Sequence, residues 1–309
     1  SLAGVYREFH RDFRKGRDIR TATSQNFVDW SESRFLDYTP QTSHGLRANW
    51  LQSVKDDDPD NRQPGRVSQL YTNQVIPYYR APHIYLGFPT RYIDRGWSYS
   101  ATQLPRYEYR KLRGAKFRRE GTAVTDGMFM SSRDAIHFDL WPESFIRPGL
   151  RSRDGWFYGD NYQNWGIVET ESTIHGAGRE LSFYVTEAAH QPDTAKRLRR
   201  HSLRIDGFVS VYAKLTGGEL ITRPVVFKGH ELVLNVSTSA AGSIRVELQD
   251  EGGQPIDKYA LGNCPEIYGD DIERVVNWDN GPDVSALAGR QVRIRMVLKD
   301  ADIYSFQFR

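Results

Sequence analysis

The chain has 309 residues, room for one large domain or two ordinary ones, and its 39% hydrophobic and 26% charged residues are the balance of a soluble globular protein. A single cysteine, Cys264, excludes a disulfide scaffold; no apolar run nears the ~18 residues that a membrane-spanning helix needs, and a net charge of +3 is too small by itself to argue for nucleic acid. Aromatic residues reach 13%, with 17 Tyr, 15 Phe and 7 Trp against 3 Met, which favours β-structure and flat sugar-binding surfaces over helical bundles.

The sequence opens at Ser1 on a strand-like run, Leu2-Ala-Gly-Val-Tyr-Arg-Glu-Phe9, without the basic and apolar stretches of a signal peptide. A processed protein, or a piece of a longer product, is expected at this end, whereas the other end reads as complete. Helical periodicity is nearly absent. Short runs rich in Tyr, Phe, Val and Ile recur between clusters of Gly, Pro, Asp and Asn. They predict strands over 4–13, 17–24, 70–79, 83–88, 125–131, 165–169, 181–186 and 198–203. Residues 39–66, with Lys55-Asp-Asp-Asp-Pro-Asp-Asn61, read as a long polar excursion. Residues 105–120 carry seven Arg and Lys side chains and suit a helix, either as a solvated face or as a site for an anionic ligand.

One unit recurs. Ala22-Thr-Ser-Gln-Asn-Phe-Val-Asp-Trp30 aligns with Met130-Ser-Ser-Arg-Asp-Ala-Ile-His-Phe138, and more weakly with Ser202-Leu-Arg-Ile-Asp-Gly-Phe208. The pattern predicts a strand pair joined by a turn in which an Asn or Asp side chain bonds nearby backbone. Its wide spacing suggests propeller blades, about two and a half of them. From Gly217 the texture changes to clean alternation, as in Leu232-Val-Leu-Asn-Val236, Ser243-Ile-Arg-Val-Glu-Leu-Gln-Asp250 and Val292-Arg-Ile-Arg-Met-Val-Leu298. That predicts an antiparallel β-sandwich with one wet face on each sheet.

Residues 15–38, Tyr71-Thr-Asn-Gln-Val-Ile-Pro-Tyr-Tyr-Arg-Ala-Pro-His83 and Asp126-Gly-Met-Phe-Met-Ser-Ser-Arg-Asp134 resemble blade sequences of the five-bladed β-propeller glycoside hydrolases related to families 32 and 43. Thr238-Ser-Ala-Ala-Gly-Ser-Ile-Arg-Val-Glu247 and Leu298-Lys-Asp-Ala-Asp-Ile-Tyr-Ser-Phe306 are similar to the sandwich appended to family 32-like members. The resemblance implies an all-β chain, with a partial five-bladed propeller over 1–211 and a β-sandwich over 212–309. It implies a secreted or periplasmic bacterial protein. A closed ring then needs blades from an upstream segment or from a second chain, because an open half-ring exposes strand edges. The family's three acids sit on early blades and map to no position in this chain, so a partial active site is expected.

Glycoside hydrolysis needs two carboxylates, one protonated and one ionised. Asp160, in Tyr158-Gly-Asp-Asn-Tyr-Gln-Asn-Trp165, reads either as a carboxylate at the funnel mouth with Trp165 as a sugar-stacking platform, or as a turn packed under rings. Glu169 lies further along that segment, and Glu187 ends the strand Ser182-Phe-Tyr-Val-Thr186; each is a candidate acid or a strand-end residue. Asn73 and Gln74 interrupt an apolar run, where they suit a ligand or a neighbouring blade. Arg91 is a candidate for holding a hydroxyl or carboxylate through its fork, with an ion pair as the alternative; Asp126 is a candidate for sugar hydroxyls or a turn residue. The Arg17-Asp18 and Arg133-Asp134 pairs read as structural and far from a funnel.

His10, His83, His137 and His190 lack metal-ligand spacing, and no nucleophile elbow, phosphate loop or dinucleotide fingerprint is present. No cofactor is expected, though a structural calcium ion would suit a carbonyl-lined funnel. The expected function is glycoside hydrolysis of a poly- or oligosaccharide. The competing readings are a non-catalytic carbohydrate-binding or structural protein and a lyase acting on an anionic polysaccharide.

Overall fold

The computed structural model describes residues 4–13, 16–41 and 69–309. The expected excursion over 39–66 lies almost wholly outside these residues. Strands β1 (Tyr6–Phe13) and β2 (Arg17–Ser24) pair antiparallel along their full lengths, and the short β3 (Arg34–Phe35) joins the other edge of β2. A second sheet is built from β4 (Asp37–Pro40), β5 (Gln69–Leu70), β6 (Ile76–Tyr78), β7 (Ala81–Gly87), β8 (Thr90–Asp94), β9 (Ala123–Ser132) and β10 (His137–Ile146). Its order is β4-β10-β9-β7-β6, with β8 pairing both β9 and β5; β4 runs parallel to β10 and the rest antiparallel. The central β9 is buried along almost its whole length, as a strand with neighbours on both edges and cover on both faces must be. Ile19, Leu36, Leu70, Met128, Met130, Phe138 and Leu140 fill the core beside it.

Three short helices, α1 (Tyr99–Thr102), α2 (Tyr107–Lys116) and α3 (Arg119–Thr122), lie between β8 and β9. The basic segment is therefore helical, as its composition suggests. Glu108 in the first turn of α2 and Arg113 and Lys116 in its last turn complement the helix dipole. Much of the charge is matched locally: Arg106 pairs with Asp154 and Asp193, Lys111 with Glu108, and Arg113 with Glu120.

The sheet β11 (Val168–Thr170), β12 (Glu180–Glu187), β13 (Arg197–Arg204) follows in that order. The last sheet contains β14 (Val211–Ala213), β15 (Gly218–Ile221), β16 (Val225–Val226), β17 (Leu232–Gln249), β18 (Asp270–Val275) and β19 (Gln291–Phe308). Here β17 and β19, 18 residues each, pair antiparallel with a register shift between Thr238 and Ser243, and β14, β15 and β16 all pair with β19. Alternate residues of both long strands face a core completed by Tyr259, Cys264, Trp278 and Leu287 from the 256–287 segment. The chain divides into two compact units, 1–168 with 182–202, and 169–181 with 203–309. The chain is all-β, as expected, and no sheet among the described residues closes into a barrel.

The repeat has a physical meaning. In the first copy Ser24 Oγ accepts from the backbone N–H of Asn26 and Phe27, and Asn26 Oδ1 accepts from those of Val28 and Asp29. In the second, Ser132 Oγ accepts from Asp134 and Ala135, and Asp134 Oδ1 from Ile136 and His137. Phe27 and Ala135 both adopt left-handed backbone, with φ of 65° and 63°. In the third copy the left-handed residue is Asp206 itself, at the Asx position, with Arg204 at the serine position, so the turn is shifted by one residue there. The predicted strand over 70–79 is broken. Gln74 is left-handed at φ 46°, and Asn73 is occupied by Phe9 O, 3.2 Å from its Nδ2, and by the Phe88 N–H on its own carbonyl.

Candidate functional site

Two loops of the first unit, at 155–162 and 187–191, concentrate left-handed backbone outside glycine: Trp156, Asn161, Ala188 and His190 all have positive φ. Such conformations cost about 1–3 kcal/mol each and persist where surrounding bonds hold them. Asp160 supplies two of those bonds. Its Oδ2 accepts from Phe157 N at 2.9 Å and its Oδ1 from Ala189 N at 2.8 Å, so one carboxylate ties both loops. Thr125 on β9 adds a staple, its hydroxyl donating to Asp160 O at 2.6 Å, and Asn161 Nδ2 donates to Thr125 O. Asp160 is 3% exposed, and desolvation pushes its carboxyl up to about 6 against the opposing N–H bonds and Arg110.

The braced turn presents Tyr158 and Tyr162 to Tyr71 and Tyr92. Tyr158 Oη donates to Tyr71 Oη at 2.7 Å. Ring centroids of Tyr71 lie 5.7–6.1 Å from those of Tyr92, Tyr158 and Tyr162, a spacing at which aromatic rings attract. His190 stacks on Tyr158 at 6.1 Å, nearly parallel. Arg11 lies 4.5 Å over the Tyr71 ring; Arg17 lies 5.0 Å over Tyr71 and 4.6 Å over Tyr92. The electrostatics separate the phenols. Burial would raise Tyr71, but the bond from Tyr158 and the charges of Arg11 and Arg17 outweigh it and hold this phenol below its ordinary value. Burial, aided by Asp94, pushes Tyr92 up to about 12, and burial also raises Tyr158 and Tyr162.

The residues singled out from sequence fall in several places. Asp160 braces the tyrosine turn. Trp165 is 73% exposed, just beyond that turn. Glu187 is bound by Arg199 with Arg197 nearby, which keeps its carboxyl below the usual range against desolvation. Glu169 belongs to the other unit, where Arg179 Nε stands 2.7 Å from it. Arg91 and Asp126 sit directly opposite on β8 and β9 and form a two-bonded ion pair, with Arg91 Nη1 also donating to Pro142 O at 2.9 Å. Asn73 bonds β1 backbone, and Gln74 forms the bend beside it. The candidates are therefore not gathered at one point. Arg17, read as remote from the funnel, instead packs on the tyrosines, because the β1–β2 hairpin brings it to Gln69, whose Oε1 accepts from its Nη1 at 2.7 Å. Tyr71, Tyr92, Tyr158, Tyr162 and Arg11 were not singled out. The available signal was the ring-rich Tyr158-Gly-Asp-Asn-Tyr162 turn, but pairing with Tyr71 across 87 residues is a tertiary fact. Among the described residues, no group of three or more His, Cys, Asp and Glu side chains could hold a metal ion, and no helix is long and apolar enough to cross a membrane.

No family model and no curated protein matches the chain. Solved structures do. An N-acetylgalactosamine deacetylase from F. plautii, in complex with blood group B trisaccharide, aligns over 65% of this chain and 46% of its own, at 7% identity and a TM-score of 0.36. A glycoside hydrolase family 43 arabinoxylan arabinofuranohydrolase from Bacillus subtilis, in complex with cellotetraose, aligns over 99% of this chain and 52% of its own, at 10% identity and a TM-score of 0.22. A protein solved as an RGII complex aligns over 71% of this chain and 55% of its own, at 13% identity and a TM-score of 0.25. The chain spans about half the length of these structures.

Proposed function

We propose that this chain is part of a carbohydrate-active enzyme, a glycoside hydrolase of the propeller type, and that its glycan seats on the tyrosine cluster of the first unit. The observation that supports this best is the hydrogen-bonded pair Tyr158–Tyr71 with the rings of Tyr92 and Tyr162 packed against Tyr71. Ring faces offer flat apolar area to sugar C–H groups, while the phenol oxygens offer donors and acceptors to sugar hydroxyls. Exposed Trp165 is a further stacking surface in this reading.

Hydrolysis requires carboxylates whose protonation is split. Asp160 is pushed up to about 6 by desolvation and feels the charge of Glu187, which Arg199 holds down. That opposition is the pattern of an acid and its ionised partner. Both Asp160 oxygens, however, are engaged by backbone N–H groups. We therefore assign Asp160 to positioning the tyrosine turn, keep Glu187 as the ionised carboxylate, and assign the acid to blades outside this chain.

Calorimetry of the full chain against an oligosaccharide panel tests the reading. Tyr71→Ala and Tyr158→Ala should each weaken glycan binding about tenfold or more, and Asp160→Asn should lower the melting temperature as well as the affinity. A chain that binds no glycan in the panel overturns the proposal. Glycan binding with no release of reducing ends, once the remaining blades are supplied, leaves a carbohydrate-binding protein instead.

A further inference from the structure

Arg11 and Arg17 both stand over the Tyr71 ring. Arg20, Arg91, Arg106 and Arg113 each have a carboxylate within ion-pair distance. Among the described residues, neither Arg11 nor Arg17 has one, yet both are held against the same phenol ring. Their guanidinium carbons lie 4.5 and 5.0 Å from the Tyr71 ring centroid, and the planar guanidinium fork is the group that meets a planar carboxylate in two parallel bonds. Arg17 is oriented by Gln69, whose Oε1 accepts from its Nη1 at 2.7 Å.

The surroundings add to this field. Arg119 and Lys196 act on Tyr158, Tyr92 and His190 as further positive charges, and among the acids acting there are Asp94 and Glu120. Both acids are already engaged. Glu120 pairs with Arg113, while Asp94 accepts from Thr122 Oγ1 and Gly96 N with Arg118 4.0 Å away. Cations without carboxylate partners beside an aromatic cluster concentrate anions.

We propose that Arg11 and Arg17 form a carboxylate-binding subsite, so that the glycan taken by the tyrosine cluster carries a uronic acid; this rests on the glycan reading above. The guanidiniums would grip the uronate carboxylate while the sugar ring lies against Tyr71 and its neighbours.

The test titrates the full chain with oligogalacturonate and with the same oligosaccharide as its methyl ester, which keeps ring and linkage but removes the charge. The acid form should bind about tenfold or more tightly than the ester. Arg11→Gln and Arg17→Gln should each bring the acid form towards the ester, weakening the acid form by a larger factor than the ester. Arg17→Lys should fall between, since it keeps charge and loses the fork. Melting temperatures of the variants separate folding from binding. Equal binding of acid and ester overturns the subsite and leaves the glycan reading standing, as does a sulfated oligosaccharide that binds while oligogalacturonate does not. Failure of every saccharide overturns both.

Discussion

Asp160 carries a charge that the fold tolerates only because two backbone N–H groups meet it. Its folded pKa of about 6 exceeds the unfolded value near 3.9, so the native state binds the extra proton between those limits. The fold therefore gains stability from this group as pH falls from about 6 towards 4, and loses it as pH rises through the same window. Asp160→Asn should flatten that limb of the urea-midpoint profile and lower stability at neutral pH, because an amide cannot accept from both Phe157 and Ala189. A profile unchanged in the variant would contradict the assigned desolvation. Tyr71 makes the opposite case, since hydrogen bonds and guanidinium charge override burial. Ultraviolet titration should show its phenolate forming before that of Tyr92, Tyr158 or Tyr162. Tyr71→Phe should remove that early step, and Arg11→Gln should move it upward.

At the scale of elements, the repeated turn and the long strands rest on different devices. Ser24 and Ser132 each hold two backbone N–H groups at a left-handed corner between neighbouring strands. Ser24→Ala and Ser132→Ala should each cost about 1–2 kcal/mol in denaturant unfolding, with similar values for the two because the bonds are the same. In the second unit the bend in β17 brings Gly242 so near β19 that a Cβ there would lie 2.4 Å from Asp300 O and 2.8 Å from Lys299 O. Both contacts are with backbone, which cannot swing aside. Gly242→Ala should therefore destabilise by about 2–3 kcal/mol, and a variant as stable as the parent would show that the strands can separate there.

For the molecule as a whole, the formal charge of +3 conceals a local concentration of charge, since Arg11 and Arg17 stand over one ring and lack a carboxylate partner among the described residues. Binding of an anionic oligosaccharide should weaken steadily as salt is raised, because partly exposed charges are screened over about 10 Å at ~0.1 M. Binding of its methyl ester should change little. Affinity curves for both at several salt concentrations check this, and parallel curves would mean that charge plays no part.

Alternation of apolar residues, turn-forming clusters and the recurring Asn or Asp turn were sufficient by themselves to establish an all-β chain, a helix in the basic segment and the two Asx turns. Each of these depends on residues close in sequence, whose periodicity and side-chain-to-backbone bonds are local. The break at Gln74 escaped because Asn73 is held by Phe9, 64 residues away, and periodicity carries no information about that partner. Asp160 was legible as a carboxylate in a ring-rich turn, but whether it would face a ligand or pin the turn depended on Ala189, a neighbour only in space. The tyrosine–arginine cluster was the least legible feature. Tyr71, Tyr92, Tyr158, Arg11 and Arg17 come from separate strands and loops, and only tertiary packing places two unmatched guanidiniums over one phenol.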